Sequence, residues 1–187
     1  MVFLIEAEPK PFVPGVLSKI AEEIGQIKGV KDVKIISLTI EGFIADNISH
    51  ILRMMDERCI IIWKQGYGGL ITDIRKRFGT GGEAFLYYVG FESCVEYGKS
   101  HIAIGLKLGI VDSIKIFRAI SAGLFNSVDF GRMEVKKISA NPPEATIRIY
   151  DSFECELGVG TGKTYSHLTH GMHAGGLNSA LQQENEG

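Results

Sequence analysis

The chain has 187 residues, of which 45% are hydrophobic and 22% charged, and its formal net charge is −2 at pH 7. These values are typical of a globular protein with one domain, or one domain and a small additional segment, and no apolar run approaches the ~20 residues of a membrane span. The near-neutral charge also argues against the basic face that nucleic-acid-binding proteins carry, so we expect no direct nucleic-acid partner.

The N-terminal part of the chain predicts a β-α-β segment. Residues 2–8 are apolar and precede three prolines, which indicates a strand followed by a rigid turn. Apolar residues recur at helical spacing over 16–27, and Gly29 ends that helix. The β-branched run 31–40 predicts a second strand. This order resembles the first half of an ACT-type or ferredoxin-like regulatory module.

The rest of the chain predicts an α+β domain with an antiparallel sheet packed against several helices. The apolar run 58–63 indicates a strand. Three helices are predicted next, over 70–78, 83–104 and 111–125. Two strands, 133–140 and 144–153, flank an Asn-Pro-Pro turn and are expected to pair antiparallel. A glycine-rich loop then leads into a final helix over 163–183, where Gly171, Gly175 and Gly176 indicate close packing against a helix or a ligand.

The loop sequence GVGTGKT at 158–164 is similar to the end of a nucleotide-binding P-loop, G-x-x-x-x-G-K-[ST]. The first glycine of that motif starts the wrap of backbone N–H groups around the phosphates, and Leu157 stands in its place. Only 23 residues follow Thr164, and none of them is an aspartate that would hold magnesium. We therefore interpret the stretch as a glycine-rich connection into a helix.

A second motif lies at the C-terminal end of the chain. A Ser-Phe-Glu group at 152–154 ends the last predicted strand. The final helix then carries five motif residues at fixed spacing: His167, Leu168, Gly171, Met172 and Gly175. Together with the order of elements before them, these residues resemble the 4-vinyl reductase domain family over residues 55–181.

The resemblance implies a fold shared with subunits of vesicle-tethering complexes and with phenol-sensor domains. Such domains bind apolar or aromatic small molecules and are often homodimers, and archaeal members carry an ACT-like N-terminal segment. We therefore expect an ACT-like segment at 1–54 and a ligand-binding domain at 55–187, in a regulatory protein that is not an enzyme. The alternatives are an enzyme or accessory acting on a tetrapyrrole vinyl group, and a non-catalytic adaptor that uses the fold to dimerise. Three widely spaced cysteines suit a reducing cytoplasm.

The expected apolar pocket lies between the helix that starts near Glu83, the 111–125 helix and the sheet. Its candidate lining residues are aromatic: Phe85, Tyr88, Phe91, Phe117 and Phe125. The alternative is that these side chains simply fill the core. No Gly-x-Ser-x-Gly elbow or other catalytic arrangement is present, so no catalytic residue is predicted.

A zinc site is implied by the resemblance, because the family's final helix often begins with a cysteine that binds this metal. This chain has Ser166 at that position, and a serine hydroxyl is a poor zinc ligand. The remaining candidate ligands are Glu154, Cys155 and His167. The alternative is that the histidines are hydrogen-bonded helix residues and Cys155 is a buried apolar side chain.

Overall fold

The computed structural model describes residues 15–36, 51–54 and 57–186. The chain divides into two compact units, Met1–Ile60 and Ile61–Gly187, each of which is described by itself. Over the described residues, helices are combined with two antiparallel two-stranded sheets, which confirms the predicted α+β class. In the described ranges, none of the helices has the length and apolar character needed to cross a bilayer.

The N-terminal unit contains the predicted helix, α1 (Val16–Gly25), and Gly29 after it has a left-handed φ of 99°. Strands β1 (Arg53–Met54) and β2 (Glu57–Arg58) form a short antiparallel pair. The strand predicted over 31–40 is wrong for 31–36, which form no strand. β-branched residues favour a strand only where a partner strand is available, and these residues have no such pairing. The rest of that stretch and the strand predicted at 2–8 lie outside the described residues.

The strand predicted over 58–63 is wrong beyond Arg58. Its apolar side chains Ile60, Ile61, Ile62 and Trp63 are 54–79% exposed, and a helix begins directly after them. An apolar run predicts burial without distinguishing a strand from the segment that leads into a helix.

Helix α2 (Lys64–Lys107) joins two of the predicted helices and is broken at Gly79, where φ is 55° and ψ is −132°. Residues with a Cβ rarely adopt this conformation, so glycine permits the break. A Cβ built on Gly82 would lie 2.5 Å from the carbonyl oxygen of Ile74, eight residues earlier, which shows that the chain reverses sharply. The two arms, 64–78 and 80–107, therefore face each other near the break.

The helix predicted over 111–125 is confirmed as a continuous run of three pieces. These are α3 (Ser113–Ile116), a π-helical turn (Phe117–Ser121) and α4 (Ala122–Ser127). The carboxylate of Asp112 caps the run, because it accepts the Lys115 backbone N–H at 2.8 Å.

The predicted hairpin is also confirmed, with β3 (Arg132–Ser139) antiparallel to β4 (Glu144–Tyr150). A short helix, α5 (Phe153–Leu157), follows where the sequence predicted the end of a strand. The Ser152 side chain caps α5 by accepting the Cys155 N–H, which favours a helix start over a longer strand. The last helix, α6 (His167–Glu186), begins four residues later than predicted.

Helix α6 packs directly on the second arm of α2 through glycines. A Cβ on Gly171 or Gly175 would penetrate the backbone of Tyr87 or Phe91, and one on Gly90 would penetrate that of Leu168. The close packing predicted for these glycines is therefore present, and the partner is a helix. Two core clusters flank this contact, one around Phe117, Phe125 and Met133 and one around Ile71, Leu86 and Leu168.

Candidate functional site

Arg75 is the centre of a polar cluster in the C-terminal unit, although its side chain is only 5% exposed. Its Nη1 donates to Glu83 Oε1 at 3.3 Å and to the Thr164 carbonyl oxygen at 3.5 Å. Its Nη2 donates to Glu154 Oε1 at 2.7 Å and to His167 Nδ1 at 2.9 Å. A buried guanidinium needs acceptors in place of the water it loses, so these contacts fix the side chain. We name the group the Arg75 cluster; it comprises Arg75, Glu83, Glu154, Tyr165 and His167.

Glu154 caps the N-terminus of α6 from a distant position in the sequence. Its carboxylate is fully buried and accepts the Leu168 N–H at 3.2 Å and the Thr169 N–H at 2.8 Å. The first N–H groups of a helix have no partner within it, and the helix dipole favours negative charge at this end. Because Arg75 contacts the same carboxylate, Glu154 joins α2, α5 and α6 at one point.

His167 and Tyr165 complete the cluster from the end of the glycine-rich loop. A guanidinium only donates hydrogen bonds, so His167 Nδ1 must be the acceptor and the ring proton is on Nε2. That nitrogen lies 3.9 Å from Glu83 Oε2. The Tyr165 ring covers the Arg75 guanidinium, with 4.2 Å between the guanidinium carbon and the ring centroid, a cation–π contact. The loop is therefore held against α2 on two sides of the arginine.

An open cleft of about 640 Å³ borders this cluster. The walls come from both arms of α2 at the Gly79 break and from the end of the loop, and they comprise Thr72, Arg75, Lys76, Gly79, Thr80, Glu83, Lys163, Thr164 and Tyr165. We name this feature the Arg75 cleft. Its volume falls within the range of roughly 300–1,000 Å³ that small-molecule sites occupy.

The loop that supplies Lys163 and Thr164 lacks the setting of a P-loop. Residues 158–163 form turns and bends after α5, and 164–166 are irregular before α6, whereas a P-loop follows a strand. Gly160 and Gly162 have positive φ values of 80° and 66°, which the glycine-rich sequence permits. The interpretation as a connection into a helix agrees with this arrangement.

The candidate zinc ligands are not brought together as a ligand set. Glu154 and His167 both contact the Arg75 guanidinium, so a cation already lies between them. Cys155 is exposed and lines a second cleft of about 390 Å³, together with Asp151, Ser152, Glu156 and Val159. Neighbouring helix residues point about 100° apart, which separates Cys155 from Glu154. Within the described ranges, no three or more His, Cys, Asp or Glu side chains are grouped as metal ligands.

The five aromatic candidates also lie in different environments. Phe117 and Phe125 are 3% and 8% exposed and belong to one core cluster. Phe85 and Tyr88 are 57% and 63% exposed on α2, and Phe91 is half-buried beside α6. None of the five lines either of the two clefts. The predicted apolar pocket therefore stays a prediction, with two of its candidate residues in the core and two at the surface of α2.

Three further titratable side chains have pKa shifts that are explained by burial. Burial raises the pKa of the Cys94 thiol to about 12, so it is not a nucleophilic thiolate. Burial lowers the pKa of His101, whose Nδ1 lies 2.9 Å from the Ser121 hydroxyl. Burial, with a smaller effect of His170, lowers the pKa of His173 to about 4. The His173 ring packs against Phe125 at 4.8 Å between centroids.

Arg75, Glu83 and Tyr165 were not among the residues singled out from the sequence. Arg75 lies in the basic run IRKRF, which suggests a solvated helix face. The spacing of Arg75 indicates a buried face instead, because Arg75 is four residues after Ile71 and seven after Gly68, which are both buried. An arginine on the apolar stripe of an amphipathic helix indicates a buried cation that needs acidic partners.

Comparison of the chain with protein-family models and with curated protein sequences gave no match. The 4-vinyl reductase resemblance therefore depends on the C-terminal motif residues and the order of the predicted elements, and it stays a prediction. Of these residues, Glu154 and His167 lie in the Arg75 cluster, and Gly171 and Gly175 form the α2–α6 contact.

Proposed function

We propose that the chain is a small-molecule-binding protein with a regulatory role, and that its ligand binds in the Arg75 cleft. The supporting observation is the size of this cleft beside a side chain that is already immobilised. Arg75 is held by two carboxylates, a carbonyl oxygen, a histidine and an aromatic ring before any ligand arrives. A preorganised wall reduces the entropy lost on binding.

The residues that line the cleft favour binding of a ligand without turnover. The cleft presents two lysines, three threonines and one arginine–glutamate pair. A threonine hydroxyl needs an adjacent general base to act as a nucleophile, and among the described residues none of the three threonine side chains is hydrogen-bonded to one. The family resemblance implies an apolar or aromatic ligand, so the compounds tested should include that class.

The experiment is a thermal-stability screen of the full chain against aromatic, carboxylated and phosphorylated metabolites. A compound present at a hundredfold excess over its Kd stabilises the folded state by about 2.7 kcal/mol, which gives a clear shift in Tm. Thr72→Trp fills the cleft and should abolish the shift. Ser93→Trp is the control, because Ser93 is also an exposed α2 residue and lies outside the cleft lining. A shift that persists unchanged in Thr72→Trp would contradict the proposed site.

A homodimeric adaptor is the second candidate function, and one surface favours it. Phe85 and Tyr88 are 57% and 63% exposed and lie one turn apart on the second arm of α2. Exposed aromatic groups of this kind mark interaction surfaces. Analytical ultracentrifugation should then give a dimer that Phe85→Glu dissociates, while Val159→Glu, at an 80% exposed loop position, leaves it intact. A monomeric wild-type chain would count against this candidate.

A further inference from the structure

The Arg75 cleft contains positive charge that the protein does not neutralise. Arg75 is balanced by Glu83 and the buried Glu154. Lys76 and Lys163 also line the cleft, and no carboxylate among the described residues forms an ion pair with either ammonium group. Among the described residues of the same unit, four other lysines have such partners, Lys64, Lys99, Lys136 and Lys137, and two, Lys107 and Lys115, have none.

The hydroxyl groups of the cleft are also available. Thr72, Thr80 and Thr164 line it, and within the described part of the chain their side chains make no hydrogen bond. Each hydroxyl is able to donate one hydrogen bond. Two ammonium groups and three hydroxyls thus surround one volume as unused donors.

The arrangement favours a phosphate group over a carboxylate. Planar carboxylates are bound best by the two-pronged face of an arginine, and the η nitrogens of Arg75 are already engaged by Glu83, Glu154 and His167. Lysines act as point charges and suit a tetrahedral dianion, which accepts hydrogen bonds in several directions.

We propose that the Arg75 cleft binds a phosphate group, either free or as the monoester of a small organic molecule, through Lys76, Lys163 and the three threonine hydroxyls. This inference depends on the proposed function, since both use the same cleft. It does not require a nucleotide, because the loop before α6 follows a helix and its contribution is the Lys163 and Thr164 side chains. The positive φ of Gly162 shapes the loop directly before these two residues.

The test is isothermal titration of the full chain with inorganic phosphate, with glycerol phosphate and with glycerol, at constant ionic strength. Lys163→Met and Lys76→Met should each weaken phosphate binding roughly tenfold, the effect of losing one hydrogen bond from a charged donor. Lys107→Met is the matched control, because it removes an equal charge from an exposed α2 position outside the cleft lining. Tighter binding of the ester than of free phosphate would identify an organic phosphate as the ligand, and glycerol should not bind.

The inference is overturned if phosphate fails to bind at millimolar concentration, or if Lys107→Met weakens it as much as Lys163→Met does. Its failure is distinguishable from failure of the proposed function. If phosphate does not bind, but a compound without phosphate stabilises the wild-type chain and not Thr72→Trp, the phosphate inference is removed and the cleft remains a ligand site. Absence of both effects would remove the two together.

Discussion

Glu154 Oε1 lies 2.7 Å from Arg75 Nη2, and this pair joins residues 79 positions apart in the sequence. The other carboxylate oxygen accepts an N–H of the first turn of α6. The pair therefore determines where α6 begins relative to α2, and with it the position of the loop that forms one wall of the cleft. Stability and the geometry of the candidate site depend on the same contact.

Replacing Glu154 by Gln should destabilise the folded state by about 3–5 kcal/mol, because it leaves the Arg75 charge buried without its shortest partner. Glu156→Gln is a matched control in the same helix. Glu156 pairs with Lys64 at 2.5 Å, but both side chains are more than half exposed, so its loss should cost less than about 1 kcal/mol. Urea unfolding followed by helical circular dichroism measures both changes. Equal losses of unfolding free energy in the two variants would show that the buried pair stabilises the fold no more than the exposed pair does.

Gly171→Ala should destabilise the protein although alanine is the better helix former. The new methyl group would meet the carbonyl oxygen of Tyr87 well inside van der Waals contact, so α6 and α2 must separate. We expect a loss of about 3 kcal/mol or more, by overpacking. Gly123→Ala is the control, since its Cβ would meet no atom within 4 Å; it should raise stability by up to ~1 kcal/mol. A neutral Gly171→Ala would show that the helices are not in backbone contact.

Gly79→Ala should also be destabilising, for a different reason. Its Cβ would meet nothing within 4 Å, so the cost is the strain of a φ of 55° with a ψ of −132° in a residue that has a side chain. Such strain costs about 1–3 kcal/mol. Gly81→Ala, two residues later in ordinary helix with open space around it, should cost nothing. Comparable Tm values for the two variants would argue against the chain reversal at Gly79.

The pH dependence of stability should include a contribution from His173. Its pKa is about 4 in the folded state and 6.5 in the reference state, so between these values the unfolded chain binds more protons. Stability therefore falls as the pH falls through this window, by about 2 kcal/mol between about pH 7.5 and about pH 5. His173→Leu should remove this part of the slope. His170→Leu, an exposed position on the same helix, should keep most of it, because burial is the larger cause of the shift. A slope that His173→Leu leaves unchanged would contradict the burial of a neutral His173.

Elements that depend on local signals were predictable from the sequence. Apolar spacing and the Asn-Pro-Pro turn identified α1, the two arms of α2, the run from Ser113 and the β3–β4 hairpin. The glycines of α6 predicted a close contact because a helix interior tolerates them only with compensation from packing. The strands at 31–36 and 59–63 failed, because β-branched runs report a preference and not the presence of a partner strand.

The candidate site was only partly predictable, because it depends on contacts between distant segments. Glu154 and His167 were singled out, but as metal ligands, since their spacing does not reveal that an arginine lies between them. Arg75 reaches them only because the chain reverses at Gly79 and α2 packs on α6. The environments of the aromatic candidates were not predictable for a related reason: helical spacing identifies Phe85 and Phe117 as apolar positions without showing which of them the second helix covers.

Native mass spectrometry of freshly purified protein, followed by the same sample denatured, tests ligand binding most directly. We expect an additional noncovalent mass on the wild-type chain that disappears on denaturation, is absent from Thr72→Trp and is retained by Ser93→Trp. The same additional mass on Thr72→Trp, or a bare polypeptide before and after incubation with the compounds of the stability screen, would contradict a small-molecule site in the Arg75 cleft.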